Sequence, residues 1–238
     1  MRHSLYKYYS TRKWADAFLD GELRFNSLAY FRDFEDVQVR GDKNEGKMIF
    51  RPEDGLVITN QAQGWTRTIP RALNATVKQE EIFVFCMSRS FTEELRENFK
   101  ALACVEILNV KAFCEKIESA LPAGTTFPGK LGRERVGQAV TYYEETDDCN
   151  PTWACPDMIA ALKSKPFAWQ DEYRLIFSLT NALAFENAQY ALVRDGTSQE
   201  HKRAEHQPYD LKAGSLRDIC RLHVFDTEKA TTVSTVSK

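Results

Sequence analysis

Ala168-Trp169-Gln170-Asp171-Glu172-Tyr173-Arg174-Leu175-Ile176-Phe177-Ser178-Leu179 is the stretch on which the reading of this chain turns. It is rich in aromatic and β-branched residues, lacks Gly and Pro, and alternates Tyr173, Leu175 and Phe177 against Gln170, Glu172 and Arg174. A period of two predicts a strand with one buried face. On such a strand Gln170 and Glu172 point the same way, roughly 7 Å apart, with Arg174 beside them. An amide and a carboxylate held side by side are a candidate for chemistry. The plain alternative is a solvated polar face on an antiparallel strand.

Working outward, the N-terminus reads as a β-α-β unit. Leu5 to Tyr9 is a short aromatic strand, Ser10 or Thr11 offers an N-cap, and Trp14, Ala15, Phe18 and Leu19 share one helix face. Gly21 suits the left-handed position after a helix, and Glu22 to Ser27 returns as a strand with Leu23 and Phe25 on one side. Tyr30, Phe31 and Phe34 fit a short helical turn. Glu35 to Gly46 is a densely charged loop, either merely solvated or carrying ligand groups.

The middle of the chain is mostly strand. Lys47 to Pro70 suggests hairpins, and Ile82 to Cys86 is apolar throughout, as a central strand covered on both faces requires. Helices are expected around Phe91, Leu95 and Phe99, from Val110 to Leu121 with a stop at Pro122, and from about Pro156 through Met158, Ile159 and Leu162. Further strands are expected at Ala103 to Leu108, Gln138 to Tyr143, Ala188 to Val193, Pro208 to Lys212 and Asp218 to Phe225. The expected fold is one α+β domain over residues 1–226, a mostly antiparallel two-sheet core flanked by helices, with 227–238 a flexible tail.

Composition narrows the function. The chain has 238 residues, 43% hydrophobic, with 32 Lys and Arg against 34 Asp and Glu, so no global charge draws it to nucleic acid or an anionic membrane. Six cysteines form no C-x-x-C pair, and no metal site is expected. His3, His201, His206 and His223 lack metal spacing and read as solvated; Trp14, Trp65, Trp153 and Trp169 read first as packing residues, with Trp169 placed to line a ligand cleft. There is no run of eighteen apolar residues and no leader-like apolar segment, and a cytoplasmic protein with no membrane partner is expected.

A short strand, a helix, a second strand, a mostly β middle and a late strand bearing Gln170-Asp171-Glu172 together resemble the ADP-ribosyltransferase fold, in which NAD lies in a cleft between two sheets. The chain is also similar to an uncharacterised bacterial domain family with an opening Tyr-x-Tyr and a late Trp-x-x-Glu-Tyr-Arg. The resemblance implies NAD as co-substrate, with Glu172 at the 2′-hydroxyl of the nicotinamide ribose and Gln170 orienting the acceptor. A fixed carboxylate aimed at the charge spreading over the ribose lowers the barrier by several kcal/mol. The first strand of the family supplies an Arg or His; here it offers Lys7, Tyr8 and Tyr9. In the family the second strand carries a Ser-Thr-Ser or a Tyr that shapes the nicotinamide pocket; here Ser27 alone matches, with Tyr30 close behind, and the resemblance implies that both stand at the nicotinamide. The resemblance further implies a protein or RNA acceptor and a toxin or phage-defence effector held by an antitoxin.

Arg40-Gly41-Asp42-Lys43-Asn44-Glu45-Gly46 admits two readings. Arg32 and Arg40 could receive the diphosphate as bidentate forks, steadied by Asp42 and Glu45; or the acids pair at the surface with Arg40 and Lys47. Two other functions stand beside the transferase. One is a metal-dependent nuclease using Asp33, Asp36, Asp42 or Glu45 with Glu172. The other is a non-catalytic interaction domain.

Overall fold

The opening folds as its patterning predicts. β1 (Leu5–Tyr9), α1 (Arg12–Leu19) and β2 (Glu22–Ser27) follow one another in the computed structural model, which describes residues 4–33, 42–129, 135–147, 155–194 and 206–225. α1 buries Ala15, Phe18 and Leu19 and gives way at Gly21, whose φ of 90° strains any side chain. A Cβ there would also strike the Gly214 backbone, because the late segment docks on this turn: Ala213 N–H donates to Gly21 O at 2.9 Å and Leu216 N–H to Leu19 O at 2.8 Å.

The chain continues through α2 (Leu28–Asp33), β3 (Lys47–Phe50), β4 (Leu56–Asn60), β5 (Trp65–Ile69), β6 (Ala72–Thr76), β7 (Ile82–Ser88), α3 (Glu93–Asn98) and β8 (Ala103–Ile107). Then come α4 (Val110–Ala120), β9 (Gly137–Ala139), β10 (Thr141–Tyr143), α5 (Pro156–Ile159), β11 (Leu162–Ser164), β12 (Glu172–Ser178), β13 (Gln189–Val193), β14 (Tyr209–Lys212) and β15 (Cys220–Val224).

β7 is the centre. The main sheet runs β14-β2-β7-β1-β8-β15, and β12 pairs with β7 along its whole length, from Glu172 opposite Ser88 to Ser178 opposite Ile82, with β9 beyond it. A strand has two edges, so β2 and β1 must share the other edge of β7: β2 meets it at Phe83 and Val84, β1 at Ser88. Between those points the sheet forks.

Both faces of the sheet are covered. On one, α1 and α4 bring Phe18, Phe113 and Ile117 against Phe85, Leu175 and Phe177. On the other, the three-stranded sheet β13-β6-β3 and the parallel pair β10-β11 bring Met48, Ala75 and Leu162 against Ile82, Val84 and Ile176. Each large apolar side chain so enclosed contributes about 1.5–3 kcal/mol relative to exposure. The result is a single α+β domain with several antiparallel sheets and few helices. Among the described residues no helix is long and apolar enough to cross a membrane.

Several expectations need correction. β12 begins at Glu172, not Ala168: Lys165–Gln170 winds into a 3-10 turn with Pro166 in its first turn, and Asp171 adopts the left-handed region at φ 43°. Nor has β12 a solvated face, since the second layer buries Glu172 and Arg174. Asp42 and Glu45, expected in a surface loop, are buried as well. The strand over 138–143 breaks at Val140, so that β9 pairs with β12 and β10 with β11. The helix from Pro156 is a single turn, and Leu162 belongs to a strand. His206 and His223 are only partly exposed, and each lies against a carboxylate, Asp33 at 3.1 Å and Glu106 at 3.0 Å. Phe34, Asp36, Arg40, Trp153, His3, His201 and the tail 227–238 lie outside the described residues.

Candidate functional site

A cleft of about 430 Å³ opens at the fork, a size within the range of small-molecule sites. β1 contributes Lys7 and Tyr8, β2 contributes Arg24 and Asn26, and the floor is made by Lys163, Gln170 and Glu172. β2 alternates Leu23, Phe25 and Ser27 into the core, which turns Arg24 and Asn26 the other way.

The floor is a buried polar network. Lys163 Nζ donates to Gln170 Oε1 at 2.7 Å and to Glu172 Oε2 at 2.9 Å, and lies 5.1 Å from the centre of the Phe167 ring. Arg174 Nε donates to Glu172 Oε1 at 2.8 Å, while its two terminal nitrogens grip Glu45 at 2.5 and 2.9 Å. Burial opposes the charge on Glu172, but Arg174 and Lys163 outweigh it and hold the carboxyl below the usual carboxylate range. Burial wins at Glu45, which shares Arg174, and lifts its carboxyl above that range. Asp42 accepts from Ser164 N and Oγ at 3.1 Å.

Gln170 reaches Glu172 by a route other than strand alternation. The left-handed Asp171 turns the chain between them, and its carboxylate is clipped by Arg89 Nε at 2.9 Å, Arg89 Nη2 and Ser90 Oγ at 2.5 Å. Lys163 then bridges the two side chains.

At the fork, Lys7 Nζ donates to the Cys86 carbonyl at 2.6 Å, passing 4.4 Å from the centre of the Phe85 ring. A side-chain ammonium thus bonds the β7 backbone where neither β1 nor β2 is paired with it. Tyr8 donates to Ser90 O at 3.2 Å and accepts from Thr92 N at 3.1 Å; burial pushes its phenol up to about 12. Arg24 pairs with Asp210 at the exposed rim, a contact worth only about 0–1 kcal/mol to folding. Trp14, expected to pack, lines the cleft with 56% of its surface exposed, whereas Trp169 packs on Phe99 at 5.5 Å.

Of the residues predicted for the site, Lys7, Tyr8, Tyr30, Gln170 and Glu172 line this one cleft. Ser27 is buried behind it, its Oγ accepting from Tyr30 N at 3.2 Å. Arg32 is turned to Asp33 at 2.8 Å and to Gln79, and does not line the cleft. Arg40 is not among the described residues. Sequence reasoning missed Lys163, Arg24 and Trp14. The alternation of β2 carried the signal for Arg24; nothing local marks Lys163.

Among the described residues, the acids proposed for a metal do not gather; Asp36 lies outside them. Asp33 pairs with Arg32, and Glu45 and Glu172 converge on the guanidinium of Arg174. Among the described residues no group of three or more His, Cys, Asp or Glu side chains is placed to hold a metal ion. Comparison of the chain with protein-family models, curated proteins and solved structures found no match in any of the three. The functional reading therefore rests on the cleft itself.

Proposed function

We propose that the cleft binds NAD and that the chain is an NAD-dependent ADP-ribosyltransferase with an ADP-ribosyltransferase-like fold. The carrying observation is that Glu172, from the late strand, and Lys7 and Tyr8, from the first strand, line one cleft at the fork of the sheet. Aromatic and cationic side chains on its walls suit a nucleobase and phosphates. An ionised carboxylate at a largely dry floor suits a reaction that builds positive charge on a ribose.

In this reading the bond between ribose C1′ and nicotinamide breaks, and its electron pair leaves with the nicotinamide. The acceptor nucleophile closes the new bond to C1′ and releases its proton to water. Glu172 holds the ribose 2′-hydroxyl and stabilises the cationic ring. Gln170, fixed through its carbonyl oxygen by Lys163, orients the acceptor. The acceptor is a protein or RNA, and an effector of this kind is restrained by an antitoxin.

Labelled NAD incubated with the protein and cell extract should pass label to protein or RNA, and Glu172→Gln should cut transfer by about 100-fold or more. Circular dichroism and a thermal melt establish that the variant is folded. Wild-type protein that consumes no NAD with any fraction of the extract ends the transferase reading.

A second reading is favoured by one specific observation: both oxygens of Glu172 already accept from Lys163 and Arg174. In it Glu172 serves the buried ion network alone, and the cleft is a binding site without catalysis. Wild-type protein that binds nucleotides without turning over NAD meets that description.

A further inference from the structure

We propose that Arg24 is the diphosphate-receiving residue of the cleft, held in orientation for that task by Asp210. The proposal rests on the cleft being a nucleotide site and adds where in it the phosphates lie.

The lining residues carry three cations, Lys7, Arg24 and Lys163, against one carboxylate, Glu172; with Asp210 on Arg24 at the rim the balance is still positive by one charge and favours an anion. Two of the three cations have tasks inside the protein. Lys163 bridges Gln170 and Glu172 at the floor, and Lys7 bonds the Cys86 carbonyl at the fork. Arg24 stands at the rim, 62% exposed, and among the described residues its ion-pair partner is Asp210.

The geometry of that pair leaves the guanidinium ready for a ligand. Arg24 and Asp210 sit directly opposite each other on β2 and β14, with Nε at 2.8 Å from Oδ1 and Nη2 at 3.0 Å from Oδ2. Asp210 thus takes one edge of the planar group. A guanidinium carries five N–H bonds, and the remaining ones, on Nη1 and Nη2, are donors for an oxyanion. Phosphate oxygens bind such a fork bidentately, and a fork already fixed by a carboxylate loses little freedom on binding. Trp14, largely exposed on the same cleft, offers a flat face to a base. A dinucleotide entering with one ribose over Glu172 would carry its diphosphate outward toward this rim.

Isothermal titration of the full chain with ADP-ribose, ADP and adenosine tests the assignment. Wild-type protein should bind both diphosphates more tightly than adenosine, the difference shrinking as salt rises. Arg24→Gln should weaken both diphosphates by about tenfold or more and leave adenosine unchanged. Arg24→Lys, which keeps the charge and loses the fork, should fall between, and Asp210→Asn should show a smaller loss. Arg24→Gln protein that binds ADP-ribose as tightly as wild type overturns the proposal, as does wild-type protein that prefers neither diphosphate to adenosine. Diphosphate binding that depends on Arg24 without any NAD consumption keeps this assignment and removes the transferase.

Discussion

Arg174 and Glu45, 129 residues apart in the chain, meet as a fully enclosed two-pronged ion pair, with side chains 1% and 0% exposed. The same guanidinium holds Glu172, so one cation ties the charged segment at 42–46 to the late strand and to the floor of the cleft.

Removing that cation leaves two buried carboxylates with Lys163 as the cation near both among the described residues. Arg174→Met should therefore destabilise the protein by about 3–5 kcal/mol, and adding Glu45→Gln should recover part of the loss. Urea unfolding measures both; a cost below about 1 kcal/mol for Arg174→Met contradicts a network that depends on its central cation.

The two glutamates should leave opposite marks on stability against pH. Glu172 is held below its ordinary value of 4.5, so as pH falls under 4.5 the unfolded chain takes up its proton first and the fold loses stability. Glu45 is lifted above 4.5, so between its folded value and 4.5 the folded state takes up the proton first and acidification stabilises. Denaturant midpoints across mildly acidic pH should lose the stabilising limb in Glu45→Gln and the acid-side fall attributable to this site in Glu172→Gln. Identical profiles for the two variants would contradict the assignment.

Asp171 holds a left-handed backbone with its carboxylate clipped by Arg89 and Ser90. Alanine there keeps the unfavourable φ and loses the clip, at a cost of about 1–2 kcal/mol, whereas asparagine tolerates the conformation and should cost less. Because this turn delivers Gln170 beside Glu172, Asp171→Ala should also weaken nucleotide binding more than Asp171→Asn does. Chemical denaturation and ligand titration on the same two variants check the order.

Much of the fold was legible because its signals are local. The apolar run of β7, the helix face of Ala15, Phe18 and Leu19, and the stop at Gly21 each sit within one element and need no distant partner to be read. β6, an Ala-Leu-Asn-Ala-Thr segment, and β11, only three residues long, were missed, because such sequences become strands only when a neighbour supplies the hydrogen bonds.

The candidate site was half legible for the same reason. Gln170 and Glu172 were rightly expected side by side but for the wrong cause: a strand was assumed where a turn, a left-handed Asp and Lys163 do the work. The burial of Asp42 and Glu45 could not be read from the segment, whether they steady arginines or pair at the surface, because burial of a carboxylate depends on a partner that the segment itself does not contain.

By itself the sequence determined the β-α-β opening, the central strand and the alternation of β12, since periodicity and capping act over a few residues. Only the tertiary structure decided that the sheet forks at β7, that Arg174 and Lys163 hold the acids at its floor, and that Arg24 rather than Arg32 faces the cleft. Those outcomes depend on which distant segments pack together, and the free energy of a buried charge is set by neighbours that arrive from elsewhere in the chain.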